Sequence, residues 1–168
     1  MANERKIFVG LMRHGQAGTS PDGDFARPLT PRGVHDVEKV AAAAAGAGFA
    51  PGWIITSAAE RARRTAELFQ TAAGTAGGIL YENDLYLCSA ETIWRHIATG
   101  LLSGFKALLI VGHNPGISQA AALLSGDSGD RVLRTADLLV FEGDYDLDVS
   151  LAPSLFRQTA TLRRPHRS

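Results

Sequence analysis

The chain has 168 residues, 45% hydrophobic and 20% charged, with 17 Lys and Arg balancing 17 Asp and Glu. That length suits a single domain over residues 1–168, and the apolar fraction is enough for a core. Zero net charge disfavours broad nucleic-acid binding, and no apolar run of about 18 residues or basic-then-apolar opening marks a membrane span or signal peptide, so a cytoplasmic protein is expected.

Ile7 to Met12 is an unbroken apolar run after a charged opening, the pattern of a strand buried on both faces of a sheet, and it ends at Arg13-His14-Gly15. Gln16 to Arg27 is rich in Gly, Pro, Asp and Ser and reads as a loop. Thr30-Pro31 looks like a helix cap with proline in the first turn. Val34, Val37, Ala41 and Ala44 then recur at helical spacing up to Gly46 and Gly48. Trp53 to Thr56 reads as a second strand, followed by Ser57 as the cap of a helix that carries Ala62, Ala66 and Phe69. Gly74 and Gly77-Gly78 stop it.

A short apolar patch at Ile79 to Tyr81 precedes Ser89, which suits the cap of a helix with Ile93, Ile97 and Leu101. Ala107 to Val111 is the most strand-like run in the chain and ends at Gly112-His113-Asn114-Pro115. A helix from about Gly116 to Leu124 follows, then strands at Leu138 to Phe141 and around Phe156 to Leu162. The alternation predicts an α/β fold, a three-layer sandwich with a mostly parallel sheet. Arg163 to Arg167 reads as a solvated basic tail. The single cysteine, Cys88, cannot close an intramolecular disulfide and reads as a small buried hydrophobe.

Ligands of open α/β sheets bind at the carboxyl ends of the strands, so the polar residues placed there carry the functional expectation. His14 follows the first apolar run, His113 follows Ala107 to Val111, and Arg61 lies one helical turn beyond Ser57. A phosphate monoester carries about two negative charges, which the planar guanidinium groups of Arg13 and Arg61 would match with paired donors. A neutral imidazole among such cations is a competent nucleophile towards phosphorus. Gly15 would let the backbone approach closely, and His113 would stand at a helix N-terminus that favours an anion.

Leu11-Met12-Arg13-His14-Gly15, Arg27-Pro28-Leu29-Thr30 with Gly33, the Ser57, Arg61, Ala62, Thr65 set, and Val111-Gly112-His113-Asn114-Pro115 together resemble the histidine phosphatase superfamily. This group includes the phosphoglycerate mutases, and the likeness is greater to its short bacterial branch of SixA-type phosphohistidine phosphatases. The resemblance implies a phosphoglycerate mutase-like fold and a metal-independent phosphatase with a phosphohistidine enzyme intermediate. His14 would be the nucleophile, Arg13 and Arg61 would bind phosphate, His113 would stabilise the transferred group, and Gly15, Ser57 and Asn114 would lie beside the substrate.

The proton donor is the open position. Larger family members use a glutamate after the middle helix; here Glu82 is nearest in sequence order, with Asp84, Glu91, Asp22 and Asp24 as rivals. The short branch resembles this chain in lacking an obvious acid and any long insertion to roof the pocket. A labile P–N bond tolerates a missing acid better than a P–O bond with a poor leaving group, which favours phosphohistidine on a signalling protein as substrate. Alternatives are a small phosphorylated metabolite, a phosphoglycerate mutase reaction, or an inactive module that binds phosphoproteins. His35, His96 and His166 receive no role. No cofactor or metal is expected, because no His-x-x-x-His, paired cysteines or clustered carboxylates with ligand spacing occur.

Overall fold

The computed structural model describes residues 5–128, 131–145 and 150–166. Its central strand β1 (Arg5–Arg13) is longer than the apolar run alone indicates, because Arg5 and Lys6 extend the pairing on one side and Arg13 extends it on the other. Helix α1 (Pro31–Gly46) starts as expected: the Thr30 side chain accepts the Gly33 amide, and proline occupies the first turn. Strand β2 (Trp53–Ser57) leads to helix α2 (Glu60–Ala73), strand β3 (Gly78–Glu82) and helix α3 (Ala90–Leu102), the last capped by Ser89. Strand β4 (Ala107–Gly112), helix α4 (Gly116–Ser125) and strands β5 (Leu138–Tyr145) and β6 (Phe156–Leu162) complete the order.

The strands form one sheet in the order β3-β2-β4-β1-β5-β6. β1, β4, β2 and β3 are mutually parallel, while β5 runs antiparallel to both β1 and β6. Alternation along the strands divides the core. Val9, Leu11, Leu108 and Ile110 face α3 and α4, where they meet Ile93, Ile97 and Ile117. Met12, Leu109 and Val111 face α1 and α2, against Val37, Val40, Ala62 and Phe69. The result is the expected three-layer α/β/α sandwich with a mostly parallel sheet.

Three local expectations are corrected. Ser57 does not cap α2: it stays in β2, in register with Glu82, and Ala59 holds the cap position without a side-chain bond. The apolar patch Ile79 to Tyr81 is a true strand, an edge strand whose outer side leaves Leu80 and Tyr81 exposed and so blurs its pattern. β5 runs on to Tyr145 because Glu142 and Asp144 sit opposite Phe8 and Lys6, with a Lys6–Glu142 ion pair at 2.5 Å. Half-buried Cys88 packs against the α3 side of the core, and burial raises its thiol pKa. Among the described residues no helix is long and apolar enough to cross a membrane.

Candidate active site

Parallel neighbours end together, so β1, β4 and β2 deliver Arg13, His113 and Ser57 to one edge of the sheet. There an open cleft of about 400 Å³ is lined by Arg13, His14, Gln16, Ala17, Asp24, Arg27, Arg61, Leu87, His113, Asn114 and Thr135. The rings of His14 and His113 lie 5.1 Å apart, tilted by 55°.

His14 is fixed in orientation. Its Nδ1 lies 2.7 Å from the Gly15 carbonyl oxygen, which can only accept, so Nδ1 carries the proton and Nε2 is left unprotonated, as an acceptor. Arg61 Nε donates to that Nε2 at 3.2 Å. Burial, with smaller contributions from Arg61, Arg13 and Arg27, lowers the His14 pKa to about 4; the hydrogen bond to Gly15 opposes the shift. Burial, then the charges of His14 and Arg61, lowers that of His113 to about 3. The cations expected to keep His14 neutral therefore contribute less than its burial.

The spacing of Ser57, Arg61, Ala62 and Thr65 acquires a physical reason here. Ser57 Oγ is hydrogen-bonded to His113 Nε2 at 2.8 Å and also accepts the Ala59 amide. Arg61 reaches His14, Ala62 is fully buried against the sheet, and Thr65 Oγ1 accepts the Gly15 amide at 3.0 Å while donating to the Arg61 carbonyl. One turn and a half of helix thus holds both histidine segments. On the opposite flank α1 approaches so closely that a Cβ on Gly33 would fall 2.2 Å from the Gln16 carbonyl oxygen. One on Gly15 would fall 2.8 Å from Val37.

Arg13, His14, Arg61, His113 and Asn114 all reach the cleft. Gly15 and Ser57 support it from behind: the Gly15 amide is taken by Thr65, and the Ser57 hydroxyl by His113. Asn114 lines the cleft, but its amide is engaged elsewhere, donating to the Leu133 carbonyl and accepting from Ser118 Oγ. Arg13 also donates to the Leu133 carbonyl, at 3.1 Å.

Glu82 is not brought to the site. Strand β3 ends one position too far from the centre, so Glu82 lines a separate groove with Trp53, Leu80, Arg95 and His96. Asp84 pairs with His96 and Arg95. The carboxylate in the cleft is Asp24, on a short 3-10 turn (Asp24–Ala26) inside the polar loop. Tyr86 donates its hydroxyl to Asp24, and Arg27 and Arg61 pair with it at 3.1 and 3.0 Å, which holds the carboxyl well below the usual carboxylate range.

Tyr86, Leu87, Thr135 and Arg164 belong to this neighbourhood and carry no signal in the sequence. Tyr86 packs edge-on to His113 and to Phe25, with ring centroids 5.4 and 5.0 Å apart. Leu87 and Ala136 both adopt left-handed backbone, at φ 49° and 64°, and such strain in residues other than glycine gathers at functional sites. The tail reading is corrected as well. Arg164 is half-buried and donates to Thr135 at 2.9 Å, with its charge felt by Arg13, while Arg167 lies outside the described residues. Among the described residues no three His, Cys, Asp or Glu side chains cluster as metal ligands do.

The family described as histidine phosphatase superfamily (branch 1) matches residues 9–85, and an uncharacterised Mycobacterium tuberculosis protein is 33% identical over 130 residues, 70% of this chain and 72% of that protein. The chain belongs to the histidine phosphatase superfamily. It is a phosphatase. The Agrobacterium tumefaciens protein assigned as phosphohistidine phosphatase SixA superposes with a TM-score of 0.78 at 25% identity, covering 93% of this chain and 97% of that one. A protein histidine phosphatase SixA complexed with tungstate gives 0.78 at 19% identity, covering 94% and 96%. A mycobacterial glucosyl-3-phosphoglycerate phosphatase gives 0.57 at 16%, covering 84% and 91%.

Proposed function

We propose that this phosphatase acts without a metal, through a phosphohistidine intermediate, on phosphohistidine carried by a signalling protein in the cytoplasm, and that residues 1–168 form one catalytic domain. The observation that carries the reading is the His14 imidazole, whose protonated Nδ1 is tied to the Gly15 carbonyl and whose Nε2 lone pair faces Arg61 across the cleft. In the first displacement Nε2 forms a bond to phosphorus as the bond to the leaving nitrogen breaks. Arg13, Arg61 and His113 receive the phosphoryl oxygens, each well-placed group contributing a few kcal/mol. In the second, water attacks phosphorus, the Nε2–P bond breaks with its electron pair returning to Nε2, and the product leaves as dihydrogen phosphate carrying both hydrogens of the water.

The protein-substrate reading is supported by two features. Asp24, the carboxylate in the cleft, is held ionised by Tyr86, Arg27 and Arg61, and so is a poor proton donor. A leaving group must then depart unaided, which a phosphoimidazole protonated on its other nitrogen does readily and an alkoxide does not. Beside the cleft, Leu87 is 54% exposed and Phe25 42%, apolar surface of use to a protein partner rather than to a hydrophilic phosphate ester. A phosphatase for a small metabolite is the second reading, favoured by the openness of the cleft to any protruding phosphate.

The two readings separate in kcat/KM measured for a phosphohistidine-bearing phosphotransfer domain beside a panel of small phosphate esters. The proposal expects the domain to lead. An ester turned over about tenfold more efficiently, a difference of about 1.4 kcal/mol in transition-state stabilisation, replaces it with the metabolite reading.

A further inference from the structure

We propose that Asp24 is a positioning residue for Arg61: it grips one edge of the guanidinium so that the other edge faces His14 and the phosphoryl group. The inference rests on the phosphate-binding role proposed for Arg61. A guanidinium offers five N–H donors in a planar fork, and the edge formed by Nε and one terminal nitrogen is suited to paired phosphoryl oxygens.

In this chain both terminal nitrogens are held by a single residue. Arg61 Nη1 donates to the Asp24 carbonyl at 2.7 Å and Nη2 to the Asp24 carboxylate at 3.0 Å. Nε is directed at His14 Nε2, 3.2 Å away. Asp24 therefore takes the end of the fork. The Nε–H and the second hydrogen of Nη2 remain on the side of the fork that addresses the nucleophile.

Asp24 is itself held from two directions. Arg27 Nη1 donates to its Oδ1 at 3.1 Å, while Arg27 Nε is anchored on the Gly18 carbonyl at 2.7 Å. From the turn after β3, Tyr86 donates its hydroxyl to Oδ2, and the Tyr86 ring centroid lies 5.9 Å from the Arg61 guanidinium carbon. The long polar loop and the turn at Asn83–Leu85 thus converge on one guanidinium. Without them Arg61 would keep its contact with His14 but lose the end-on grip that sets its plane. Two rival roles give different results. A carboxylate that competes with phosphate would have to hold the Nε edge, and a proton donor would have to be protonated.

The test uses the full chain with Asp24→Asn and Tyr86→Phe, assayed on p-nitrophenyl phosphate and on phenyl phosphate, whose phenolate is the poorer leaving group, together with inhibition by vanadate. Asp24→Asn is expected to lower kcat/KM by about tenfold or more, by the same factor for both esters, and to weaken vanadate binding similarly. Tyr86→Phe, which removes only the hydroxyl that holds the carboxylate, is expected to shift both readouts the same way by about two- to threefold. It carries the test if Asp24→Asn fails to fold. Tighter vanadate binding with higher kcat/KM would show a competing carboxylate, and a loss confined to phenyl phosphate would show a proton donor. Either result, or unchanged constants in both variants, overturns the proposal. Vanadate binding needs no turnover, so this arm reports on Asp24 even if the assignment of His14 as nucleophile fails.

Discussion

The floor of the cleft and its rim are built differently. On the floor, His14, Arg61 and His113 are 7%, 3% and 3% exposed and rise from the ends of β1 and β4 and the first turn of α2, elements locked into the core. On the rim, Asp24, Phe25, Tyr86, Leu87, Thr135 and Arg164 come from turns and loops, and they meet through side-chain bonds and ring contacts between segments far apart in the chain. The floor is preorganised by packing and needs no substrate to assemble it. The rim is positioned by a few polar contacts, so single substitutions should retune it without disturbing the fold.

The sharpest consequence concerns pH. Burial holds His14 and His113 neutral, with pKa values of about 4 and about 3 in the folded protein, whereas an unfolded chain titrates near 6.5. As pH falls below about 6.5 the unfolded state binds protons first, so the two histidines withdraw stability progressively, His14 down to about pH 4 and His113 down to about pH 3, on the order of a few kcal/mol together. Above that window their contribution is complete. The same protonation removes the Nε2 lone pair, so kcat/KM should hold well below pH 6.5 and fall only as pH approaches about 4. Thermal melts of the parent and His14→Gln between pH 7 and 4, beside a pH–rate profile, check both parts. A parent that melts at one temperature throughout, or loses activity with a midpoint near 6.5, would show the floor to be less buried than described.

The rim should give the smaller effect. Leu87→Ala removes exposed apolar surface at the cleft mouth, and kcat/KM for a phosphohistidine-bearing domain is expected to fall about fivefold, corresponding to about 1 kcal/mol. The loss for p-nitrophenyl phosphate should be smaller. Equal losses for the two substrates would mean that Leu87 supports the floor rather than a partner, and the distinction between floor and rim would fail at that position.

The same division decides what could be read without a structure. The floor residues follow directly on runs whose burial is written in their composition, Ile7 to Met12 and Ala107 to Val111, and their parallel pairing brings His14 and His113 together. Arg61 was legible from its distance to Ser57 along a helix, although Ser57 turned out to support His113 rather than cap that helix. The carboxylate was not legible. Glu82 stood nearest in sequence order, but β3 lies at the sheet edge, and sequence order does not reveal how the loop from Gln16 to Arg27 folds back to bring Asp24 to Arg61. Tyr86 is 62 positions from its partner Asp24, and Arg164 is 29 from Thr135. No local periodicity encodes such contacts. Leu87 and Ala136 broke local rules outright, since neither residue type favours left-handed backbone.

The nucleophilic role of His14 is tested most directly by trapping the phosphoenzyme. The parent protein would be mixed with a radiolabelled phosphoryl donor, quenched within one turnover, and the modified residue located by mass spectrometry, with His14→Ala treated in parallel. The expected result is a single phosphoryl group on His14, labile to acid and stable to base, and no label in a folded His14→Ala variant that has lost about a thousandfold or more in kcat/KM. A label on any other side chain, or turnover by His14→Ala within about tenfold of the parent, would contradict it.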